Sequence, residues 1–266
     1  SPMTGIGLRG APRSVVAVAA AAVLLLALPV LALVQRAPWS GLTSLLTRRE
    51  VVDALGVSLV VSLLAAAIVL VLGTPLAWML ARVDLPLRRL VRALVLLPMV
   101  LPPVVGGTAL LFALGRRGLF GQWLDRWFDL TLPFTTAGAV VAATFVALPF
   151  YVVTVEGALR TSGEDLEQVA STLGAGPVAV LRRITLPRLL PAMGAGLALA
   201  WARALGEFGA TITFAGNLPG RTRTLPLATF QALESDPEAA IALSLVLLTV
   251  SLAVLVPTRD RWLPTR

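Results

Sequence analysis

Three residue types are missing from this 266-residue chain: cysteine, histidine and lysine. Without cysteine there is neither a disulfide framework nor a thiol nucleophile, and the redox compartment is unreadable. Without histidine the usual general base near neutral pH and the commonest metal ligand are gone. Without lysine no GxxxxGK[ST] phosphate loop can be written, which excludes ATP hydrolysis by that route. Charge is sparse as well, at 14% of residues, whereas 57% are hydrophobic and the mean hydropathy is +0.88. A soluble domain of this length cannot bury so much apolar side chain, so the class is an all-α polytopic membrane protein. The net charge of +8 is carried by arginine alone. Aromatics are few and the arginines are scattered between apolar runs, so membrane orientation accounts for them better than nucleic acid.

An apolar helix needs roughly 20 residues to cross the hydrocarbon core. Six segments qualify: Val15 to Val34, Ala54 to Leu80, Ala93 to Leu114, Ala137 to Val155, Leu189 to Phe214 and Ala239 to Val256. They form one expected transmembrane domain, 15–257, between an N-terminal segment 1–14 and a tail 258–266. The first run is too long for a cleaved signal, and Gln35-Arg36-Ala37-Pro38 is a poor cleavage site. The leading Ser1-Pro2-Met3 reads as a remnant ahead of a natural start. Thirteen of the 22 arginines, from Arg9, Arg13, Arg82 and Arg88 through Arg160, Arg182 and Arg188 to Arg259, Arg261 and Arg266, fall on one side. The opposite side holds eight, including Arg36, Arg48, Arg116, Arg221 and Arg223, with Arg203 inside a span. The arginine-rich side is expected to be cytoplasmic, with both termini inside.

On that side, residues 160–188 interrupt two spans with a polar passage. Glu164 to Leu173 carries Leu166, Val169, Ala170 and Leu173 at i, i+3, i+4 and i+7, one apolar stripe on a short helix. Ser162 with Asp165 resembles a capping box, Gly174 suits the helix end, and Pro177 can open a second helix. Two readings are open: a helix presented to a soluble partner's groove, or one lying on its own bundle or the lipid surface. Glu156, four residues before Arg160, can pair with it and support the passage.

Two spans are interrupted. LPMVLPPVVGG places Pro98, Pro102, Pro103, Gly106 and Gly107 together, and each interior proline removes a backbone hydrogen bond. Freed carbonyls at membrane depth require protein or a water-filled cavity beside them, so this is a broken helix along a pathway or a packing kink. In the fifth span Arg203 and Glu207 are four apart on an expected single helical face, able to pair. Intramembrane charge points to function, with a structural lock as the alternative. Gly194, Gly196, Gly206 and Gly209 leave room for close helix approach. Outside, Asn217-Leu218-Pro219-Gly220-Arg221-Thr222-Arg223 is turn chemistry followed by arginine, either a partner contact or a solvated connector.

The polar passage resembles the EAA loop of type I ABC importer permeases. Gln168-Val169-Ala170, then Gly174, then Ile184-Thr185-Leu186-Pro187 occupy the motif's places, with Gln168 for its Glu and Val169 for its first Ala. Glu167 sits one position early, so no motif role passes to it. LVLLPMVLPPVVGGTALLFALGRRGLFG and ARALGEFGATITFAGNLPGRTRTLPLATF are similar to molybdate permeases. Sulfate permeases share part of GEFGA and AGNLPG. These matches span more than half the chain.

The resemblance implies a bacterial inner-membrane homodimer with two cytoplasmic ATPase subunits and an external oxyanion-binding protein. ATP and Mg would sit in the ATPase, and no cofactor in this chain. Its cargo would be molybdate or tungstate, with sulfate or thiosulfate the near alternative. The stripe with Glu164, Glu167, Gln168, Gly174 and Pro187 is the expected coupling element. Pro102, Pro103, Gly106, Gly107, Arg203, Glu207, Thr211 and Thr213 are the expected pathway or gate, the threonines as neutral donors. Asn217, Arg221 and Arg223 are the expected binding-protein contact. An ion-coupled secondary transporter would carry more buried carboxylates and inverted repeats. A membrane enzyme would need a catalytic constellation that this chain lacks.

Overall fold

The computed structural model describes residues 12–84, 86–163 and 165–258, with side chains through residue 254. Glu164, Arg9, Arg259, Arg261 and Arg266 lie outside the described residues, as do Met3 and nearly all of the tail. The chain is helical, and no strand occurs among the described residues. In order come α1 (Arg13–Gln35), α2 (Leu42–Leu46), α3 (Arg49–Arg82), α4 (Arg88–Val100), α5 (Pro103–Leu114) and α6 (Gly121–Phe128). Then follow α7 (Thr136–Thr161), α8 (Asp165–Thr172), α9 (Pro177–Val180), a π-turn at Leu181–Thr185, α10 (Leu186–Leu205), α11 (Gly209–Phe214), α12 (Leu225–Ser235) and α13 (Pro237–Thr258).

Four of these helices are long and apolar enough to cross a membrane: α1, α3, α7 and α13. A fifth crossing is the continuous rod Pro177–Leu205, in which α9 runs through the π-turn into α10. The run from Ala93 to Leu114 is not one straight helix: α4 and α5 meet at 119°. Pro102 is extended and Pro103 opens α5, so the backbone ladder stops there and restarts in a new direction.

The core lies where α3, α7 and α10 meet. Tyr151 of α7 is fully buried and its hydroxyl lies 2.7 Å from that of Thr74. Glycine makes the close approach possible: a Cβ at Gly73 would stand 2.6 Å from the Tyr151 ring, and one at Gly196 would stand 3.3 Å from it. Val61, Ala65, Val69, Ala143, Val155, Ala200 and Ala204 fill the same cluster. Small and β-branched residues dominate because, without a hydrophobic drive between helices in lipid, contact must come from close packing. No residue of α1 is buried.

Candidate coupling and translocation sites

The polar passage is more helical than its sequence implies. α7 continues to Thr161 and α9 begins at Pro177, which leaves α8 held between two short turns. Ser162 is not the N-cap of α8. It ends α7, where its hydroxyl donates to the carbonyl of Leu159. Gly163 then turns with φ +66° and Gly174 ends α8 with φ +88°, conformations that glycine adopts without a Cβ penalty.

Along α8 the stripe faces outward. Leu166 is 53% exposed, Val169 54% and Leu173 83%, with Ala170 half-buried beside them. Glu167 points the other way. Its carboxylate accepts from Nε of Arg82 at 3.2 Å and from the Thr185 hydroxyl at 3.0 Å, and Arg82 Nη2 also donates to the Gly163 carbonyl at 2.9 Å. The helix is thus fixed on its inner side and bare on its outer one. Thr185 reaches Glu167 from the π-turn, and Pro187, exposed just beyond, lacks the N–H that would continue the α ladder. Gln168 is exposed and lines a groove with Trp78, Thr172 and Leu181.

A second charge cluster braces the same end. Glu156 is buried and accepts from Arg160 Nε at 2.9 Å and from Arg92 of α4, while Arg160 Nη2 donates to the Leu80 carbonyl at 3.0 Å. The Glu156–Arg160 pair expected from spacing is present, and it also ties in α3 and α4.

The two interrupted segments pack on each other, α5 against α11. A Cβ at Gly107 would stand 2.7 Å from Thr213 Cβ and 2.8 Å from the Ala210 carbonyl oxygen. One at Gly209 would stand 2.7 Å from Pro103 Cβ. Gly106 is buried against Phe145, whereas Pro102 and Pro103 are exposed. Arg203 and Glu207 do pair, at 2.7 Å, but not on one helical face. The helix ends at Leu205, so Glu207 stands in the break between α10 and α11. There its other carboxylate oxygen accepts from the Ala210 N–H at 2.8 Å. The carboxylate is 2% exposed and closes the gap that its own position creates.

Of the two threonines expected as neutral donors, Thr211 keeps its buried hydroxyl without a protein partner among the described residues. Thr213 donates its proton to the Gly209 carbonyl at 2.8 Å. In the 217–223 loop, Arg223 Nε donates to Asn217 Oδ1 at 3.0 Å and the Asn217 amide donates to Gln231 at 3.1 Å. Asn217 and Arg223 therefore build the loop, and Arg221 is the member whose side chain is exposed. Nearby, Arg48 donates to Asp236 at 2.7 Å and holds that carboxyl below the ordinary carboxylate range.

The fold has counterparts among known proteins. Residues 73–263 match the family described as binding-protein-dependent transport system inner membrane component. The chain belongs to that family. It is a type I ABC importer permease, multi-pass and resident in the inner membrane. It is 47% identical over 245 residues, 92% of each chain, to the molybdenum transport system permease protein ModB of Mycobacterium tuberculosis. Identity is 39% over 236 residues, 87% of this chain and 85% of the relative, to the sulfate transport system permease protein CysT of Salmonella typhimurium. In fold the permease resembles a bacterial ABC transporter involved in import of the acidic polysaccharide alginate. The TM-score is 0.71 at 17% identity, covering 89% of this chain and 90% of the other.

Two features escaped the sequence reading: the anchoring role of Glu167 and the short helices α6 and α12. A carboxylate on the polar face of α8, opposite the stripe, was the available signal for the first. Trp123 and Trp127, four residues apart in GQWLDRWF, were the signal for α6.

Proposed function

We propose that this permease carries molybdate, or its close analogue tungstate, into the cytoplasm as half of a homodimer driven by two partner ATPase subunits. The observation that carries the reading is α8, an apolar stripe turned out to solvent on a helix anchored through Glu167. A bare stripe of this kind fits an amphipathic helix that lies in a partner's groove. In this reading ATP and Mg act in the ATPase, whose closure pushes α8. Arg82 and Thr185 pass the push to α3 and to the rod that carries α10. Both termini and α8 face the cytoplasm, in keeping with the arginine distribution.

The pathway runs where α5 meets α11. The close glycine contacts let the two broken segments slide or part as the rods tilt. Arg203, partly neutralised by Glu207, supplies positive bias for a tetrahedral dianion without a site strong enough to retain it. Selectivity then rests mainly in an external binding protein that docks on the outer face, where Arg221 is the exposed arginine of the 217–223 loop. Molybdate is preferred over sulfate because the molybdenum permease is the nearer relative of the two compared. The test is uptake into proteoliposomes holding the permease with its co-purified ATPase and binding protein. ATP-dependent molybdate accumulation that excess sulfate does not suppress supports the reading. Uptake that needs an ion gradient instead of ATP overturns it.

A further inference from the structure

We infer that α6 is an interfacial anchor, lying in the headgroup–acyl boundary of the leaflet opposite α8 with its aromatic face down and Arg126 at the phosphates. Its depth is set by the membrane helices on either side. The Leu119 and Phe120 N–H groups donate to the Phe112 and Ala113 carbonyls in the last turns of α5, at 3.0 and 2.8 Å. On the far side the Phe134 N–H donates to the carbonyl of Phe214, the last residue of α11. α7 then starts at Thr136 and runs to Thr161, the end next to α8. So α6 sits at the outer end of this bundle, at the level where spans stop.

Its composition fits that level. Phe120, Trp123, Leu124, Trp127 and Phe128 recur at i, i+3, i+4, i+7 and i+8, one face of a helix. Trp127 and Phe128 are 67% and 70% exposed, so the bundle does not use this face. Trp123 and Trp127 rest together with ring centroids 5.3 Å apart, and the Arg126 guanidinium lies 5.5 Å from the Trp123 ring. Tryptophan with arginine at its rim is the chemistry that partitions to the bilayer boundary, ring inward and cation toward phosphate. Unlike the stripe on α8, which holds no aromatic residue, this face carries two tryptophans with an arginine at their rim, the composition of a bilayer boundary. Asp125, on the opposite face, is held by Arg116 Nε at 3.1 Å and by the Thr131 hydroxyl, which keeps the polar side turned up.

Because the chain has no cysteine, a single one can be placed at will. Phe128→Cys and Gln122→Cys are each nitroxide-labelled in the assembled transporter, in phosphatidylcholine–phosphatidylglycerol vesicles. Collision with oxygen and with a water-soluble nickel chelate is then read by electron paramagnetic resonance. The expected result is oxygen-dominated collision at residue 128, at a depth just below the phosphates, and nickel-dominated collision at residue 122. Nickel dominance at 128 would place the face in water and overturn the assignment. Protection from both reagents would place it under a second copy or a partner, and equally overturn it. Where Phe128→Cys does not assemble, Trp123→Cys is read by the same criteria.

Discussion

Arg82 and Glu167 lie 85 positions apart in sequence, yet Nε and Oε2 meet at 3.2 Å with both side chains largely shielded from water. The same carboxylate receives the Thr185 hydroxyl, so one residue of α8 grips two membrane helices. A pair so shielded is worth more than an exposed surface pair, because loss of either partner strands a charge.

Glu167→Gln is therefore expected to leave the permease bound to its ATPase while lowering molybdate moved per ATP hydrolysed. The charge swap Arg82→Glu with Glu167→Arg should recover part of what either single change loses. Transport and hydrolysis measured on the same proteoliposomes give the ratio, and an unchanged ratio in Glu167→Gln would refute the grip.

The stripe makes a different prediction. Val169 and Leu173 are exposed, so Val169→Asp should change the permease's own stability by no more than about 0.5 kcal/mol. It should nonetheless weaken ATPase association by roughly tenfold or more, the effect of an interface anchor lost. Co-purification yield together with thermal unfolding separates the two quantities.

Packing at the double break is tight enough to test with one methyl group. Gly107→Ala must displace Thr213 or the Ala210 backbone, and Gly209→Ala must displace Pro103. Overpacking of this kind costs about 1–3 kcal/mol, to be read as a lowered midpoint of thermal unfolding in detergent. Gly206→Ala, whose added Cβ would lie no nearer than 3.6 Å to the Ala202 carbonyl oxygen, is the control expected to unfold close to the parent.

Arg203→Ala should destabilise by about 3–5 kcal/mol, since it leaves the buried Glu207 carboxylate without its cation. Adding Glu207→Gln should restore much of that loss, because the amide carbonyl can still accept from Ala210 N–H. Flux through the double variant then isolates the transport role: normal molybdate uptake would assign the pair to folding alone.

Much of this architecture was legible because the signals are local. Runs of twenty apolar residues, adjacent prolines at 102 and 103, and the i+4 spacing of Glu156 with Arg160 all act within a few turns of their own helix. The stripe on α8 was legible for the same reason. The break at Gly206 was not, since Arg203 and Glu207 fit an unbroken helix equally well, and only the Ala210 N–H explains why the chain stops there. Ser162 was misread because a hydroxyl between two helices can serve either, and here the carbonyl of Leu159 takes it. That Asn217 and Arg223 bond each other across a six-residue turn was not legible either, since turn chemistry alone does not say which side chains meet. Glu167 was hidden because its meaning depends on Arg82, a contact that no window of sequence contains.

The unbroken run from Pro177 to Leu205 has a mechanical consequence. At about 1.5 Å per residue, its 29 residues form a stiff lever about 43 Å long, with Thr185 near the foot and Arg203 near the tip. A nudge of a few ångströms at the foot swings the tip through a comparable arc. In the proposed cycle, opening at one membrane face and closing at the other would then be two ends of one stroke, with no separate signal needed to synchronise them.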